Sequence, residues 1–327
     1  MKPFILLLLV SLAGAASGVR AKEPSPFVRP PYLHAGDTIG IVAPSGKLPL
    51  KTDTAKIRER FESWGLHVLF GAHCADRSQP YFAGTDAERA ADLQRMLDDR
   101  SVKAVIACRG GYGAVRLLPL LDLARLRERP KWFVGFSDAT LLHLALRTRN
   151  VESIHGAMPV SFRFDEEDPS AEALRAALFG ELERIDVLPH PLNRPGRATG
   201  RLAGGNLSLI CATIGTPEGL YLDEPTVLFI EEVGEFAYRI DRMMQQLLRT
   251  GKLAQLSALI VGHFTETAGV DKFGAEEIYE VIDAYAAPLG IPVVYGFPAG
   301  HEEPNLSLYM GRVTEVEVDD RGASIRF

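Results

Sequence analysis

Lys131-Trp-Phe-Val-Gly-Phe-Ser-Asp-Ala-Thr-Leu-Leu-His143 is the stretch on which the fold turns. Trp132, Phe133 and Val134 read as a buried strand, and Leu141, Leu142, Leu144, Ala145 and Leu146 as the apolar side of a helix. Only Gly135-Phe-Ser-Asp-Ala139 joins them, which leaves no room for a loop. A strand that passes so abruptly into a helix holds its turn residue in a tight, exposed conformation. Ser137 occupies that turn. Beside it lie the first N–H groups of the helix, which lack intrahelical partners and favour negative charge. This is the geometry of a nucleophile elbow, an exposed hydroxyl next to an oxyanion site, in the form G-x-S-x-A rather than G-x-S-x-G. Taken alone, the stretch also admits Ser137 or Asp138 as a plain helix cap.

Upstream, strands alternate with helices. Gly36 to Ser45 gives a turn and a short buried strand, Thr52 to Trp64 a helix closed by Gly65, and Leu66 to Phe70 a second strand. A loop over 71–85 precedes a helix from Asp86 to Leu97, with Ala90, Leu93 and Leu97 on one face and Arg89 and Arg95 directed elsewhere. Val102 to Ala107 is a strand, Ala114 to Leu126 a predicted helix, and Ser153 to His155 a short strand beyond the 131–148 unit. This alternation predicts a parallel α/β sheet with helices on both faces and sites beyond the carboxyl ends of its strands, where Ser137 lies. Acidic, proline-rich and glycine-rich sequence over 162–200 interrupts the pattern. The expected division is therefore an N-terminal α/β domain over 22–165, a linker over 166–200 and a C-terminal domain over 201–327. The last of these contains a buried strand from Thr226 to Glu231 and an amphipathic helix marked by Phe236, Ile240, Met243, Met244, Leu247 and Leu248. It closes on short strands at Leu306–Met310, Arg312–Val318 and Ala323–Phe327. Those features predict an α+β domain with a mixed or antiparallel sheet.

The 327 residues are 46% apolar and 24% charged with a net charge of −6, so no basic surface calls for nucleic acid. Met1-Lys2, the apolar run Phe4–Leu12 and the small residues up to Val19 and Ala21 read as a secretory signal peptide, residues 1–21, cleaved after Ala21. The run is short for a membrane span and no cysteine follows it, so an exported protein without a stable membrane anchor is expected, most simply in the periplasm. Cys74, Cys108 and Cys211 are an odd count for an oxidising compartment: one is free, or all three are small buried hydrophobes. The eight histidines show no metal-ligand spacing, and neither a metal nor another cofactor is expected.

Cys108-Arg-Gly-Gly-Tyr-Gly-Ala-Val-Arg116 combines three glycines between a strand and a helix. It can form an anion-binding nest that presents an oxyanion donor or holds a carboxylate, or it can be a plain tight turn. Glu231 and Glu232 end a buried strand. Successive side chains point opposite ways, so one can enter a cleft while the other faces solvent or caps the turn before Gly234. Gly300-His301 lies in a loop; His155 is a rival base, His263 a weaker one, and His143 reads as packed against the sheet.

Arg109-Gly-Gly-Tyr-Gly113, Gly135-Phe-Ser-Asp138, His155-Gly, Gly204-Gly-Asn206, Ile230-Glu-Glu-Val-Gly-Glu235, Tyr238-Arg-Ile-Asp-Arg242 and Gly300-His301 resemble, in that order, the motifs of the LD-carboxypeptidase family of serine peptidases. That family includes muramoyl-tetrapeptide carboxypeptidases and microcin C self-immunity peptidases. The resemblance runs from about Gly36 to Gly311. It implies a Ser137–Glu231–His301 triad, with the backbone N–H groups of Gly111 and Asp138 as oxyanion donors. It implies a flavodoxin-like or amidotransferase-like first domain, a second domain carrying Glu and His, and a homodimer. The implied substrate is a murein peptide that loses a terminal D-alanine. Arg109 and Tyr112, with Glu235 and Arg239 from a set resembling the muramoyl-peptide enzymes, are the implied substrate-binding residues. Other amides, such as a peptidyl-nucleotide analogue, and a non-catalytic wall-peptide binder are the alternatives. An exported start departs from the cytoplasmic work of well-known members.

Overall fold

The computed structural model describes residues 26–164, 166–222, 224–267 and 274–327. The expected signal peptide, 1–21, lies outside the described residues. Among the described residues no helix is long and apolar enough to cross a membrane.

The elements in chain order are β1 (Thr38–Val42), α1 (Thr54–Ser63), β2 (His67–Phe70), α2 (Asp86–Asp98), β3 (Val102–Ala107), β4 (Trp132–Gly135), α3 (Thr140–Arg147), β5 (Ser153–His155) and α4 (Pro169–Phe179). There follow β6 (Arg184–Val187), β7 (Gly196–Asn206), α5 (Leu207–Ala212), β8 (Thr226–Val233), α6 (Ala237–Arg249), β9 (Leu256–Thr265) and α7 (Ala275–Ala286). The chain ends with β10 (Val293–Val294), β11 (Leu308–Met310), β12 (Val313–Asp319) and β13 (Gly322–Arg326).

The first sheet has six strands in the order β11-β5-β4-β3-β1-β2. Its pairings from β2 to β5 are all parallel. The order 2-1-3-4-5 is that of flavodoxin-like sheets, whose sites form outside the strand ends where the order reverses, here between β1 and β3. The apolar, β-branched strands are buried on both faces. One core, with Ile39, Ile41, Phe61, Trp132 and Leu174, lies on one side, and a second, with Leu93, Val105, Phe133, Leu142 and Leu146, on the other. The second sheet is mixed: β10, β9, β8 and β7 are parallel, and β12, β13 and β6 continue it antiparallel. Of the apolar positions the spacing marks, helix α6 buries Ile240, Met244 and Leu247, while Met243 is partly buried and Leu248 exposed.

Three local expectations are corrected. Residues 114–126 form short 3₁₀ turns rather than a helix. Pro119 has no N–H to give, and its ring opposes a continuous α-helical segment. Leu306–Met310 was expected to close the C-terminal sheet, but β11 pairs antiparallel with β5, placing Leu308 opposite His155 in the first sheet. Residues 184–187, expected as linker, form the edge strand β6 on β13.

Candidate active site

At the end of β4 the backbone is extended at Phe136 and turns at Ser137, where φ is +60°. A non-glycine residue there costs about 1–2 kcal/mol, and such strain persists only where the surroundings impose it. The short turn Ser137–Ala139 is led by Phe136 and α3 by Ala139, and neither lead residue makes a side-chain cap. The helix-cap reading therefore falls. Ser137 Oγ is half-buried and has no hydrogen-bond partner among the described residues. The Asp138 side chain serves a brace: Ser45 Oγ and the Ala114 N–H donate to its Oδ2 at 2.6 and 2.7 Å. Burial pushes the Asp138 carboxyl pKa up, against the lowering effect of those two hydrogen bonds.

The glycine loop after β3 presses on this turn. A Cβ on Gly110 would lie 2.9 Å from Ser137 Cβ and 3.1 Å from its Oγ, so only glycine admits the approach. Gly111 follows with φ +107°. Neither the Gly111 nor the Asp138 N–H donates to another group among the described residues. The loop is held from behind by Arg89, which donates to the Pro44 and Gly113 carbonyls and stacks on Phe82 at 4.5 Å. Sequence periodicity directs Arg89 away from the packed face of α2, but its side chain is fully buried. The carbonyls of two glycine- and proline-containing loops need a donor there. Arg109 is half-buried and donates to the Lys47 carbonyl at 3.2 Å. Tyr112 is exposed and lines a cavity of about 350 Å³ with Leu118, Asp138, Leu141 and Leu209.

Glu231 and His301 come together across the second sheet and its loop: His301 Nδ1–H donates to Glu231 Oε2 at 2.6 Å. Glu231 is fully buried, while His301 keeps 17% of its side chain exposed. Burial pushes the His301 pKa down. The Glu231 charge and hydrogen bond, with Glu232 and Glu266 adding to them, outweigh that effect and leave it above 6.5. The His301 ring packs edge-on against Phe136 at 5.0 Å, so the pair adjoins the residue before Ser137. Gly300 permits this: a Cβ there would meet Glu231 Cβ and Oε2 at 3.1 Å.

Glu232 corrects an expectation. It does not face solvent but is buried, with Asn206 Nδ2 and the Val233 N–H donating to Oε1 and the Ser208 N–H to Oε2. Asn206 in turn donates its N–H to Thr140 Oγ1 at 3.0 Å, tying β7 to the elbow helix. Donors from β7, from the start of α5 and from its own strand supply what solvent would have.

The other histidines are spoken for. His143 is buried as expected, between the Gly135 carbonyl and Ser153 Oγ at 2.8 Å each, and burial lowers its pKa to about 4. His155 is fully buried with its pKa pushed down to about 3, chiefly by desolvation. His263 is also lowered by burial, and its Nδ1 accepts the Glu302 N–H at 3.3 Å. Glu235 and Arg239 form a surface ion pair at 3.3 Å, with Arg239 over Phe236 and Tyr238. Among the described residues the pair makes no hydrogen bond or ion pair with Ser137, Glu231 or His301. All three cysteines are free and buried. Among the described residues one metal-capable group occurs, His73, Asp76 and Glu88, with ligand atoms within 4.8 Å of one another. It lies at the start of α2, where Glu88 Oε2 is already taken by Thr85.

Ser45, Arg89, Asn206 and Asn305 were not singled out for any role by the sequence. Asn206 belongs to the Gly204-Gly-Asn206 motif, the periodicity of α2 points Arg89 the wrong way, and Ser45 and Asn305 carry no spacing signal; only the folded chain brings them to these loops.

Comparison with known proteins adds identity to this geometry. The LD-carboxypeptidase N-terminal domain matches residues 39–156 and the LD-carboxypeptidase C-terminal domain residues 199–316. A putative carboxypeptidase of Streptomyces coelicolor is 38% identical over 90% of this chain and 94% of its own. A probable murein peptide carboxypeptidase of Bacillus subtilis is 35% identical over 91% of this chain and 94% of its own. The crystal structure of muramoyltetrapeptide carboxypeptidase from Oxalobacter formigenes superposes with a TM-score of 0.76 at 30% identity, over 88% of this chain and 97% of that one. With both halves matched in order and a relative of this similarity spanning nearly its whole length, the chain belongs to the LD-carboxypeptidase family of serine peptidases.

Proposed function

We propose that the enzyme releases the terminal D-alanine from murein tetrapeptides by cleaving its bond to the L-centre of a diamino acid, using Ser137, His301 and Glu231. Ser137 Oγ attacks the carbonyl carbon while its proton passes to His301 Nε2. Glu231, on Nδ1, holds the imidazole in one tautomer and stabilises its charged form. The Gly111 and Asp138 N–H groups receive the oxyanion; losing one such donor commonly costs about 3 kcal/mol of transition-state stabilisation. His301 then protonates the departing amine of D-alanine, and water, deprotonated by His301, resolves the ester. Arg109 is the candidate for the substrate carboxylate, with Tyr112 at the cavity beside it. Glu235 and Arg239 reach a substrate only at its far end or across a homodimer, which belongs to the same reading. An exported, periplasmic enzyme, with Met1–Ala21 read as its signal peptide, belongs to the same proposal.

The observation that supports this most is the His301–Glu231 contact of 2.6 Å beside the strained Ser137 turn. Relatives named for murein peptides supply the substrate class. Mass spectrometry of digests of defined tetrapeptides, varied at residue three and in the configuration of residue four, tests it. Loss of D-alanine alone, with covalent labelling of Ser137 by a fluorophosphonate, is expected. Absence of both, in folded protein, would leave a peptide binder instead.

A further inference from the structure

His155 combines features that packing does not explain. It is fully buried at the end of β5, opposite Gly135 of β4, two residues before Ser137. Its Nε2 lies 3.2 Å from Asn305 Oδ1, and its Nδ1 has no partner although it is buried. The Gly300 N–H donates to the same Oδ1 at 3.0 Å. That donor fixes the orientation of the Asn305 amide, since the reverse would set N–H against N–H. His155 Nε2 must then carry a proton and donate, leaving Nδ1 bare. An unpaired buried acceptor is a cost an apolar residue would avoid.

The Asn305 oxygen therefore joins two donors from different parts of the molecule. One belongs to the strand beside the Ser137 turn, the other to the residue before His301. Gly300 has φ +134° and no room for a side chain, so its backbone rests directly on Glu231. Asn305 is itself anchored, its N–H donating to Ser170 Oγ at 2.9 Å. The Leu306 N–H closes the loop on the Pro298 carbonyl at 2.9 Å.

We infer that His155 and Asn305 are positioning residues: a neutral, Nε2-protonated His155 and the Asn305 amide hold the 300–305 loop so that His301 faces Ser137. This rests on the triad reading above. It also gives the rival base a different role, because a nitrogen already donating its proton, beside another buried away from solvent, can take none from Ser137.

The test is steady-state kinetics on the full chain with a defined tetrapeptide, for His155→Ala, His155→Gln, Asn305→Ala, Asn305→Asp and His301→Ala. Small misplacements of a reacting group can cost about 10²-fold. The two alanine variants should lose roughly that factor in kcat with little change in KM. His155→Gln, which can still donate to Asn305, should recover most of it. Asn305→Asp keeps an acceptor for both donors and adds a negative charge near His301. His301 is also faced by Glu231 and Glu232 from β8, Glu266 and His263 from β9 and its exit, and His155 from β5. The acid limb of kcat/KM should therefore move to higher pH in Asn305→Asp. His155→Gln as inactive as His155→Ala would overturn the inference in favour of His155 as base. Wild-type turnover in both alanine variants would overturn it with the triad intact, whereas wild-type turnover in His301→Ala would overturn the triad itself. If the alanine variants do not fold, His155→Gln and Asn305→Asp decide: loss of turnover in the first or an unmoved acid limb in the second counts against it.

Discussion

Glu231 Oε2 and His301 Nδ1 are 2.6 Å apart, and Glu231 has no exposed surface. A buried carboxylate this close fixes which imidazole nitrogen carries the proton and leaves Nε2 without one, in a ring that packs against Phe136. In Glu231→Gln the tautomer is no longer dictated. Removing the acid of a comparable triad lowers kcat about 10⁴-fold. A loss of that order, at a melting temperature matched to the wild type, is the expected result; near-normal turnover would remove Glu231 from the chemistry.

The same contact sets a pH dependence. Glu231 holds the His301 pKa above 6.5 despite burial. A base must be neutral in the free enzyme, so kcat/KM should fall on the acid side with an apparent pKa above that of an ordinary histidine. Without the Glu231 charge, desolvation acts with less opposition. The residual activity of Glu231→Gln should therefore show its acid limb at lower pH than the wild type. A shift to higher pH would mean that another group titrates.

Strain at Ser137 separates stability from activity. At φ +60° a Cβ costs about 1–2 kcal/mol, most of which glycine avoids. Both Ser137→Gly and Ser137→Ala should be inactive and unlabelled by a fluorophosphonate. Urea denaturation should nonetheless find Ser137→Gly more stable than Ser137→Ala by about 1 kcal/mol. Equal stability would mean the turn relaxes in the variants.

Glu232 should behave as a structural group. Its two oxygens accept three donors from Asn206, Ser208 and Val233. Glu232→Gln turns one acceptor into a donor facing an N–H or an amide, and an unsatisfied buried group costs about 1–3 kcal/mol. The melting temperature should fall while the folded fraction keeps its turnover. An unchanged melting temperature would place Glu232 in solvent.

Two buried histidines make the fold acid-sensitive. Desolvation holds His143 at about 4 and His155 at about 3, against 6.5 for an ordinary imidazole. Below 6.5 the unfolded chain binds protons that the folded chain refuses, so stability falls as pH drops toward 4. Urea unfolding between about pH 7 and 5 should show this slope, and His143→Gln should make it shallower. An identical slope in that variant would assign the acid sensitivity to other groups.

By itself the sequence determined the parallel α/β half, the abrupt 131–143 unit and the Glu and His loops of the second half. Each of these is a local pattern: apolar runs of strand length, helical spacing, and glycines where the backbone must turn. It also singled out Ser137, because a strand with no loop before its helix leaves few conformations for the residue between them. The tertiary structure alone decided the rest. Which of the two acids faces the histidine depends on partners from other segments: His301 meets Glu231, while Asn206 of β7 and Ser208 of α5 donate to Glu232 and allow its burial. That β11 crosses to the first sheet, that Arg89 turns inward to hold the glycine loop, and that His155 meets Asn305 150 residues away are likewise contacts between distant segments. No local spacing encodes them, since a buried polar group takes whatever partner the packed chain brings within hydrogen-bond reach.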